Sequence, residues 1–325
     1  MQQPVKLKLV TKDYDFFAPL ACGDVVAEGI DLKYERDTAG ALDRTLADES
    51  IDAGELSLSR HLARLAAGDR SFVGIPVFPQ RVFRHRCFFV RRDSGLNSFE
   101  QLAGKRIGCN EWPASGNSWS REILKHHGVK IESISWLVGS IDGKPSNRPQ
   151  GNLPAHVKPV TDKTLLSMML AGEIDALMCP HPPKGFDEKD SPVVRLIANY
   201  RQAEMDYYRK TGMFPILHVI GVRQKVYKQH PQVLVSLFNA LNESKQLSQA
   251  NRKKLSDTTP WLISEIEDAT ALFGKDYFPY GVAQGRKEIQ ALCDEQLAQG
   301  LVTEHVDAAI TFTEFEAEMK KQQNQ

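Results

Sequence analysis

The chain reads Leu46-Ala47-Asp48-Glu49-Ser50-Ile51-Asp52-Ala53 in its first half and, one residue shorter, Leu170-Ala171-Gly172-Glu173-Ile174-Asp175-Ala176 in its second half. Each stretch follows a segment with helical spacing of apolar residues and precedes an apolar strand. Each strand then opens into a polar loop. The repeat predicts two similar α/β lobes.

Strands alternate with helices around the first copy of the repeat. Val5–Val10 and Gly29–Tyr34 alternate apolar and polar residues, as strands do. Helical spacing follows at Ala41–Asp48, and Ser50–Ser57 reads as a short strand that runs into a loop. This order predicts βαβ units and a mostly parallel sheet.

A second series of the same kind starts near Asp93. Asn97–Leu102 carries residues typical of a helix start, and Gly104–Cys109 reads as a turn and a strand. Asn110–Gly116 reads as a polar loop, and the helix Trp119–His126 follows it. These elements predict a second lobe.

The predicted division places residues 1–92 and 219–325 in lobe 1 and residues 93–218, as an insertion, in lobe 2. A strand at Leu217–Val222 carries the chain back into the first lobe. Residues 142–160 are poor in large apolar side chains and read as a long loop.

Two lobes of this kind are expected to enclose a ligand cleft. In open α/β sheets, ligands bind at the carboxyl ends of the strands. The polar loops predicted to surround the cleft are Lys12–Asp15, Ser57–His61, Glu111–Ser118 and Cys179–Pro182.

The composition excludes several classes of protein. The 325 residues include 41 basic and 41 acidic side chains, so the formal net charge is zero. This balance disfavours a nucleic-acid binder or a membrane-surface protein, because both rely on excess basic charge. No apolar run approaches the roughly 20 residues of a membrane-spanning helix. The first residues lack the apolar core of a signal peptide, so a cytoplasmic protein is expected.

Neither the cysteines nor local motifs indicate a metal or a nucleotide. The five cysteines are scattered and odd in number, which favours reduced thiols over a disulfide framework or a structural zinc site. The chain has no local metal-binding, P-loop, dinucleotide-binding or serine-hydrolase motif. We therefore expect no metal and no cofactor, although a metal held by residues distant in sequence stays open, as does assembly into a homo-oligomer.

Basic residues are densest between Phe78 and Arg86, where Arg81, Arg84, His85 and Arg86 lie within six positions. The planar fork of arginine matches a carboxylate. In a neutral protein, this concentration predicts an anionic ligand. The alternative is that the side chains pair with acidic groups on the surface.

Other candidates follow from position. Ser115 and Ser118 flank a helix start, where backbone N–H groups attract anions, although plain capping explains them equally well. His181 and His218 each lie beside an apolar strand and could donate protons, or could be structural. His61 is a site candidate because it follows a predicted strand end.

Four blocks of the sequence resemble 4,5-dihydroxyphthalate decarboxylases, and the resemblance extends over nearly the whole chain. The blocks are Gly54–Ser59, Phe78–His85, Asp206–His218 and Asp276–Val282. The chain departs from the usual family sequence at Asn110–Trp119, and His181 stands where the family usually has arginine.

The resemblance implies an α/β, two-lobed fold like that of type 2 periplasmic solute-binding proteins. It also implies a carboxy-lyase that converts 4,5-dihydroxyphthalate, an aromatic dicarboxylate, to protocatechuate and CO2, a reaction that in principle needs no redox or electron-sink cofactor. In this hypothesis Arg81 and Arg84 clamp a carboxylate, aided by Ser59, Ser115 and Ser118. His218 or His181 donates a proton, Glu111 or Asp13 accepts the phenolic proton, and His61 and His85 complete the site.

Two alternatives stay open. The same cleft could capture an aromatic acid without catalysis, as a solute-binding protein does. The scaffold could also carry a related enzyme with a different substrate.

Overall fold

The computed structural model describes residues 3–144, 153–252, 254 and 259–324. They form two compact units. The first comprises Met1–Arg81, Ile216–Gln290 and Val306–Gln325, and the second comprises Val82–Pro215 and Ala291–His305.

The units differ from the predicted division in three places. Residues 216–218, which the prediction places in lobe 2, belong to the first unit. Residues 82–92 belong to the second unit, because their strand pairs within its sheet. Ala291–His305 also belong to the second unit, so one long helix changes unit along its length.

Eleven strands are present in the described ranges. They are β1 (Val5–Thr11), β2 (Ile30–Arg36), β3 (Ala53–Ser57), β4 (Phe72–Ile75), β5 (Phe88–Arg91), β6 (Arg106–Cys109), β7 (Ser135–Val138), β8 (Val157–Pro159), β9 (Ala176–Met178), β10 (Val193–Arg195) and β11 (His218–Arg223).

The same ranges contain eleven α-helices. They are α1 (Ala18–Cys22), α2 (Ala41–Ala47), α3 (Leu58–Ala66), α4 (Ser115–His126), α5 (Leu165–Leu170), α6 (Tyr200–Thr211), α7 (Gln224–Gln229), α8 (Val233–Arg252), α9 (Leu262–Phe273), α10 (Val282–Ala298) and α11 (Thr313–Gln323). None of these described helices combines the length and apolar composition needed to cross a bilayer.

The first unit is built on a sheet with the strand order β2-β1-β3-β11-β4. Strand β1 pairs in parallel with β2 and β3, whereas β11 runs antiparallel to β3 and β4. The chain therefore returns to this sheet through β11, as predicted from Leu217–Val222. Strand β3 lies at the centre, and Ala53–Leu56 are buried.

The second unit is built on a sheet with the order β10-β5-β9-β6-β7-β8. Strands β9, β6, β7 and β8 are parallel neighbours, whereas β5 runs antiparallel to β9 and β10. Each sheet thus contains a single strand that runs opposite to all the others, β11 in the first and β5 in the second, and the prediction of a mostly parallel sheet is confirmed. The sequence repeat is confirmed in one respect, since its two copies lead into β3 and β9.

Three local predictions differ from the structure. Helix α4 begins at Ser115, one turn before the predicted start, because the Ala114 carbonyl already accepts the Asn117 and Ser118 N–H groups. Asn97–Leu102 forms only a 3-10 turn at Glu100–Leu102. In the predicted loop 142–160, residues 157–159 form β8, and residues 145–152 lie outside the described ranges.

Gly54 lets helix α2 pack against the centre of the first sheet. A Cβ atom at this position would lie 2.2 Å from Thr45 Oγ1 and 2.7 Å from Thr45 Cγ2. Thr45 is fully buried and donates a hydrogen bond to the Ala41 carbonyl at 2.8 Å, so it has little freedom to move. The glycine is therefore required by the close approach of the two elements.

We expect Gly54→Ala to lower the free energy of unfolding by about 1–3 kcal/mol, since overpacking a rigid core forces side chains and backbone to shift. Urea denaturation measures the loss. Adding Thr45→Ala should recover part of it by removing the two nearest atoms. Gly143→Ala is the control, because its added Cβ would have 3.6 Å of clearance. Equal stability of wild type and Gly54→Ala would contradict the packing argument.

Candidate functional site

A buried carboxylate lies at the centre of the first sheet. Glu55 is 0% exposed, and its strand β3 is otherwise apolar at the neighbouring positions. Strand pairing explains its main contact. Ile220 of β11 lies opposite Glu55 and His218 lies opposite Ser57, so Glu55 and His218 are diagonal neighbours on one face. This register brings the carboxylate and the imidazole together.

Three donors hold the Glu55 carboxylate. His218 Nδ1 and the Tyr14 hydroxyl donate to Oε1, the latter at 2.7 Å, and the Lys12 N–H donates to Oε2 at 2.8 Å. Burial by itself raises the pKa of Glu55, but the His218 charge and these hydrogen bonds outweigh burial and hold the pKa below its ordinary value. Glu55 is therefore ionised and accepts hydrogen bonds only.

The charged Glu55 fixes the roles of its neighbours. Burial and the Glu55 charge raise the pKa of Tyr14, so its hydroxyl keeps its proton. Because Glu55 can only accept, His218 Nδ1 carries a hydrogen. In the described part of the chain, His218 Nε2 has no hydrogen-bond partner. The pair can therefore stabilise an imidazolium whose Nε2–H is free for transfer.

Sequence reasoning found His218 but missed Glu55 and Tyr14 as parts of the same cluster. A signal was present, because Glu55 is an acidic residue inside a strand of otherwise buried, uncharged residues. Acidic side chains are almost never fully buried unless they are paired. Its partner lies 163 positions away in the sequence.

The charge of Arg81 is already compensated by an ion pair within the first unit. Its side chain is 2% exposed, and its Nη2 donates to Glu288 Oε1 at 2.5 Å. Its Nη1 reaches the Pro279 carbonyl at 3.3 Å. The predicted clamp role competes with this buried ion pair, and the geometry favours a role in holding the segment before Tyr280.

The remaining candidates of the first unit lie in different surroundings. Asp13 forms a partly exposed ion pair with Arg36 at 3.0 Å. Ser59 and His61 are buried within helix α3, where His61 packs beside Gly74. Burial lowers the pKa of His61 to about 4, so its imidazole is neutral. The structure therefore does not bring Asp13 or His61 into hydrogen bonding with Glu55 and His218.

A second polar cluster lies in the second unit, where the Arg84 guanidinium covers the start of helix α4. A Cβ atom on Gly116 would lie 2.9 Å from Arg84 Cζ. Arg84 is 4% exposed, and no described residue accepts a hydrogen bond from its Nε. A guanidinium and a helix N-terminus both attract negative charge. Together they suit a carboxylate.

Ser115 and Ser118 lie at the same helix start and are buried. Ser118 Oγ accepts a hydrogen bond from Arg121 Nη2 at 3.3 Å, so Ser118 is engaged within the unit. Glu111 is half-buried, and its carbonyl accepts from Asn117 Nδ2 at 2.5 Å. These contacts order the loop that leads into α4.

The two other histidines predicted for the site lie in different settings. His85 is 1% exposed and packs edge-on against Phe83, Phe99 and Tyr207. Burial, aided by the charges of His127 and His126, lowers its pKa to about 3, so it is a neutral member of an aromatic cluster. His181 is exposed, and its carbonyl accepts from Cys179 Sγ at 3.2 Å.

Glu122 carries an unusual pKa in the second unit. Its Oε2 accepts a hydrogen bond from the Tyr207 hydroxyl at 2.7 Å. Burial is the largest influence and raises the pKa of Glu122 to about 7, from an ordinary value of 4.5. The folded protein therefore binds a proton more tightly here than the unfolded chain does.

We expect the contribution of Glu122 to the free energy of unfolding to fall as pH rises from about 5 to 7, by up to about 1.4 kcal/mol per pH unit. Its folded pKa is raised, so its contribution is complete below pH 4.5 and is lost as pH passes 7. Glu122→Gln should flatten this part of the profile in urea titrations, whereas the exposed Glu132→Gln should not. Parallel profiles for wild type and Glu122→Gln would contradict the assignment.

Comparison with known proteins gives both fold and family. No family model matches the chain. The periplasmic aliphatic sulphonate-binding protein of Escherichia coli is 16% identical, with a TM-score of 0.53 over 94% of this chain and 91% of that one. A Candida albicans protein described as having the generic periplasmic binding protein fold is 13% identical, with a TM-score of 0.51 over 94% of each chain. The predicted fold class is confirmed.

Two curated relatives are similar in sequence. The 4,5-dihydroxyphthalate decarboxylase of Comamonas testosteroni is 32% identical over 320 residues, which are 95% of this chain and 96% of the relative. The enzyme of the same name from Pseudomonas putida is 33% identical over 214 residues, or 63% of this chain and 82% of the relative. The protein therefore belongs to the 4,5-dihydroxyphthalate decarboxylase family.

Proposed function

We propose that this protein decarboxylates 4,5-dihydroxyphthalate to protocatechuate and CO2 without oxidation. The names of its relatives support the substrate. The observation that carries the chemistry is the ionised, buried Glu55 hydrogen-bonded to His218, because this pair supplies the positioned acid that the reaction needs.

The reaction needs an acid because an aryl carboxylate does not lose CO2 readily. The electron pair of the breaking bond would be stranded in the plane of the ring. Protonating the carbon that bears the carboxylate makes that carbon tetrahedral, so the breaking bond can align with the π system. One proton is added, the C–C bond breaks, and its electron pair restores the aromatic ring. A hydroxyl para to this carbon assists by raising its electron density.

His218 is the proposed proton donor. Its Nδ1–H is held by Glu55, and its Nε2 has no hydrogen-bond partner among the described residues. After transfer, the imidazole is neutral and takes a new proton from solvent. Tyr14 acts through Glu55 as a positioning residue, since its hydroxyl holds the carboxylate oxygen that also contacts His218. His181 is a weaker candidate because it is exposed.

Arg84 is the proposed partner of the carboxylate that stays on the ring. Its buried guanidinium lies against the start of α4 and has an unused Nε donor within the described residues. Arg81 is excluded from this role in the proposal because Glu288 already compensates its charge. The departing carboxylate should remain free of such a contact, since tight ground-state pairing raises the barrier. Glu111 or Asp13 as acceptor of the phenolic proton stays a prediction.

Turnover in D2O tests the reaction and its mechanism together. Purified protein is incubated with 4,5-dihydroxyphthalate, and CO2 and protocatechuate are quantified. We expect equal amounts of both products and one deuterium at the carbon that lost CO2. Binding of the diacid without CO2 release would support the alternative of a binding protein. Absence of both binding and turnover, with turnover of another aromatic acid, would indicate a related enzyme with a different substrate.

A further inference from the structure

The hydroxyl of Tyr280 is buried without a hydrogen-bond partner in the described part of the chain. The residue is 6% exposed and belongs to the first unit, as Glu55 and His218 do. Buried polar groups are nearly always paired, so an unpaired hydroxyl requires an explanation. The chemistry described above does not use this group.

The ring of Tyr280 is fixed on several sides. Phe78 and Phe278 contact it edge-on with centroid distances of 6.4 Å each, and Lys245 Nζ lies 4.6 Å from its centroid. Lys245 is itself bound to Asp276 at 2.8 Å. These neighbours surround the ring that carries the unpaired hydroxyl.

The backbone on both sides of Tyr280 is also tied down. The Pro279 carbonyl accepts from Arg81 Nη1 at 3.3 Å, and the Gly281 N–H donates to the Pro76 carbonyl at 2.9 Å. Arg81 thus contacts both Glu288 and the residue that precedes Tyr280.

A continuous set of aromatic contacts links Tyr280 to the Glu55 cluster. Tyr14 stacks on Phe16 at 4.9 Å, Phe16 contacts Phe278 at 5.5 Å, and Phe278 contacts Tyr280. Burial is the largest influence that raises the pKa of Tyr280, followed by the charges of Asp276 and Glu55. The hydroxyl is therefore a protonated donor within the electrostatic reach of Glu55.

We propose that the Tyr280 hydroxyl recognises a phenolic oxygen of the substrate and so makes the enzyme select hydroxylated aromatic diacids. This inference rests on the proposed function. Once its proton has passed to a base, the oxygen para to the reacting carbon becomes a carbonyl when that carbon is protonated, and it regains negative charge when CO2 leaves and the electron pair returns to the ring. A hydroxyl that donates to this oxygen stabilises it, and the proton of Tyr280 stays in place throughout.

The Tyr280 hydroxyl should affect the binding of diacids that carry hydroxyl groups and not the binding of diacids that lack them. A site built to hydrogen-bond a substrate hydroxyl discriminates against analogues that lack it, because its buried donor is then unpaired. Removing the hydroxyl by Tyr280→Phe should weaken binding of 4,5-dihydroxyphthalate by about 10-fold, in the range of a single hydrogen bond. Binding of phthalate, which has no hydroxyl groups, should stay within about 2-fold.

Calorimetric titration tests this in a His218→Asn background, in which the slowed turnover limits consumption of the ligand. Tyr227→Phe on α7 is the matched control and should change neither affinity. Tyr280→Phe should keep or raise the Tm, since it deletes an unpaired buried hydroxyl. Equal losses for both ligands, no loss for either, or a clear drop in Tm would overturn the proposal. If the wild type binds both diacids but releases no CO2, the decarboxylase assignment fails while the affinity contrast still decides this inference.

Discussion

Replacing His218 by asparagine lowers kcat by about 10²–10⁴-fold and changes KM little, because the variant loses only the proton that moves in the transition state. Asparagine keeps a polar group that can still donate to Glu55, so the buried carboxylate retains a partner. Release of CO2 from 4,5-dihydroxyphthalate, followed at substrate saturation, measures the loss. His305→Asn is the control, since this exposed histidine lies at the surface, where its Nε2 is 2.9 Å from Asp294 Oδ1.

The partnership of Glu55 and His218 adds a second readout to this prediction. Glu55→Gln should also lower kcat, because it removes the charge that stabilises the imidazolium. Since both residues act as one unit, the double variant should lose little more than His218→Asn alone. Near-normal turnover of His218→Asn, or fully additive losses in the double variant, would remove His218 as the donor held by Glu55.

Replacing Arg84 by glutamine should raise KM for the diacid by on the order of 10²-fold, since a charge-assisted, two-pronged contact with a carboxylate is lost. Arg84→Lys should recover only part of the affinity, because lysine keeps the charge but not the planar fork. Initial-rate kinetics with 4,5-dihydroxyphthalate measure both. The effect should be largest on KM if the contact holds the carboxylate that stays on the ring.

Arg81 provides the matched comparison. Arg81→Lys should mainly lower Tm, because it disturbs a buried ion pair with Glu288, and the surviving folded protein should keep a KM close to that of the wild type. An unchanged KM in Arg84→Gln, or a large KM effect confined to Arg81→Lys, would reverse the proposed assignment and restore Arg81 as the clamp.

The local pattern of apolar residues was sufficient to predict much of the secondary structure. Alternating apolar residues identified β1, β2 and the return strand β11, and the repeat led to β3 and β9. These elements follow from side-chain periodicity, which is encoded within a few residues. The local pattern did not show which strands run antiparallel to their neighbours. Both sheets contain antiparallel neighbours that bring together distant segments, and no local pattern specifies which strands pair.

Sequence and tertiary structure likewise contributed different information about the site. Sequence alone singled out His218, Arg81 and Arg84, because their residue types and positions suit an anionic ligand. Only the fold showed that Arg81 is paired with Glu288, that His61 and His85 are neutral and buried, and that Arg84 lies against the start of α4. Burial and charge pairing depend on atoms contributed by elements far apart in the chain.

The sequence by itself determined the two α/β halves, the family resemblance and the presence of basic and titratable candidates, since each is written in residue types and spacing. The tertiary structure alone decided which of these residues are placed to transfer a proton or to bind an anion. Glu55 and His218 lie 163 positions apart, and they meet because β3 and β11 pair in an antiparallel register. Proton transfer depends on hydrogen-bond geometry and on the local dielectric, and both are set by that pairing.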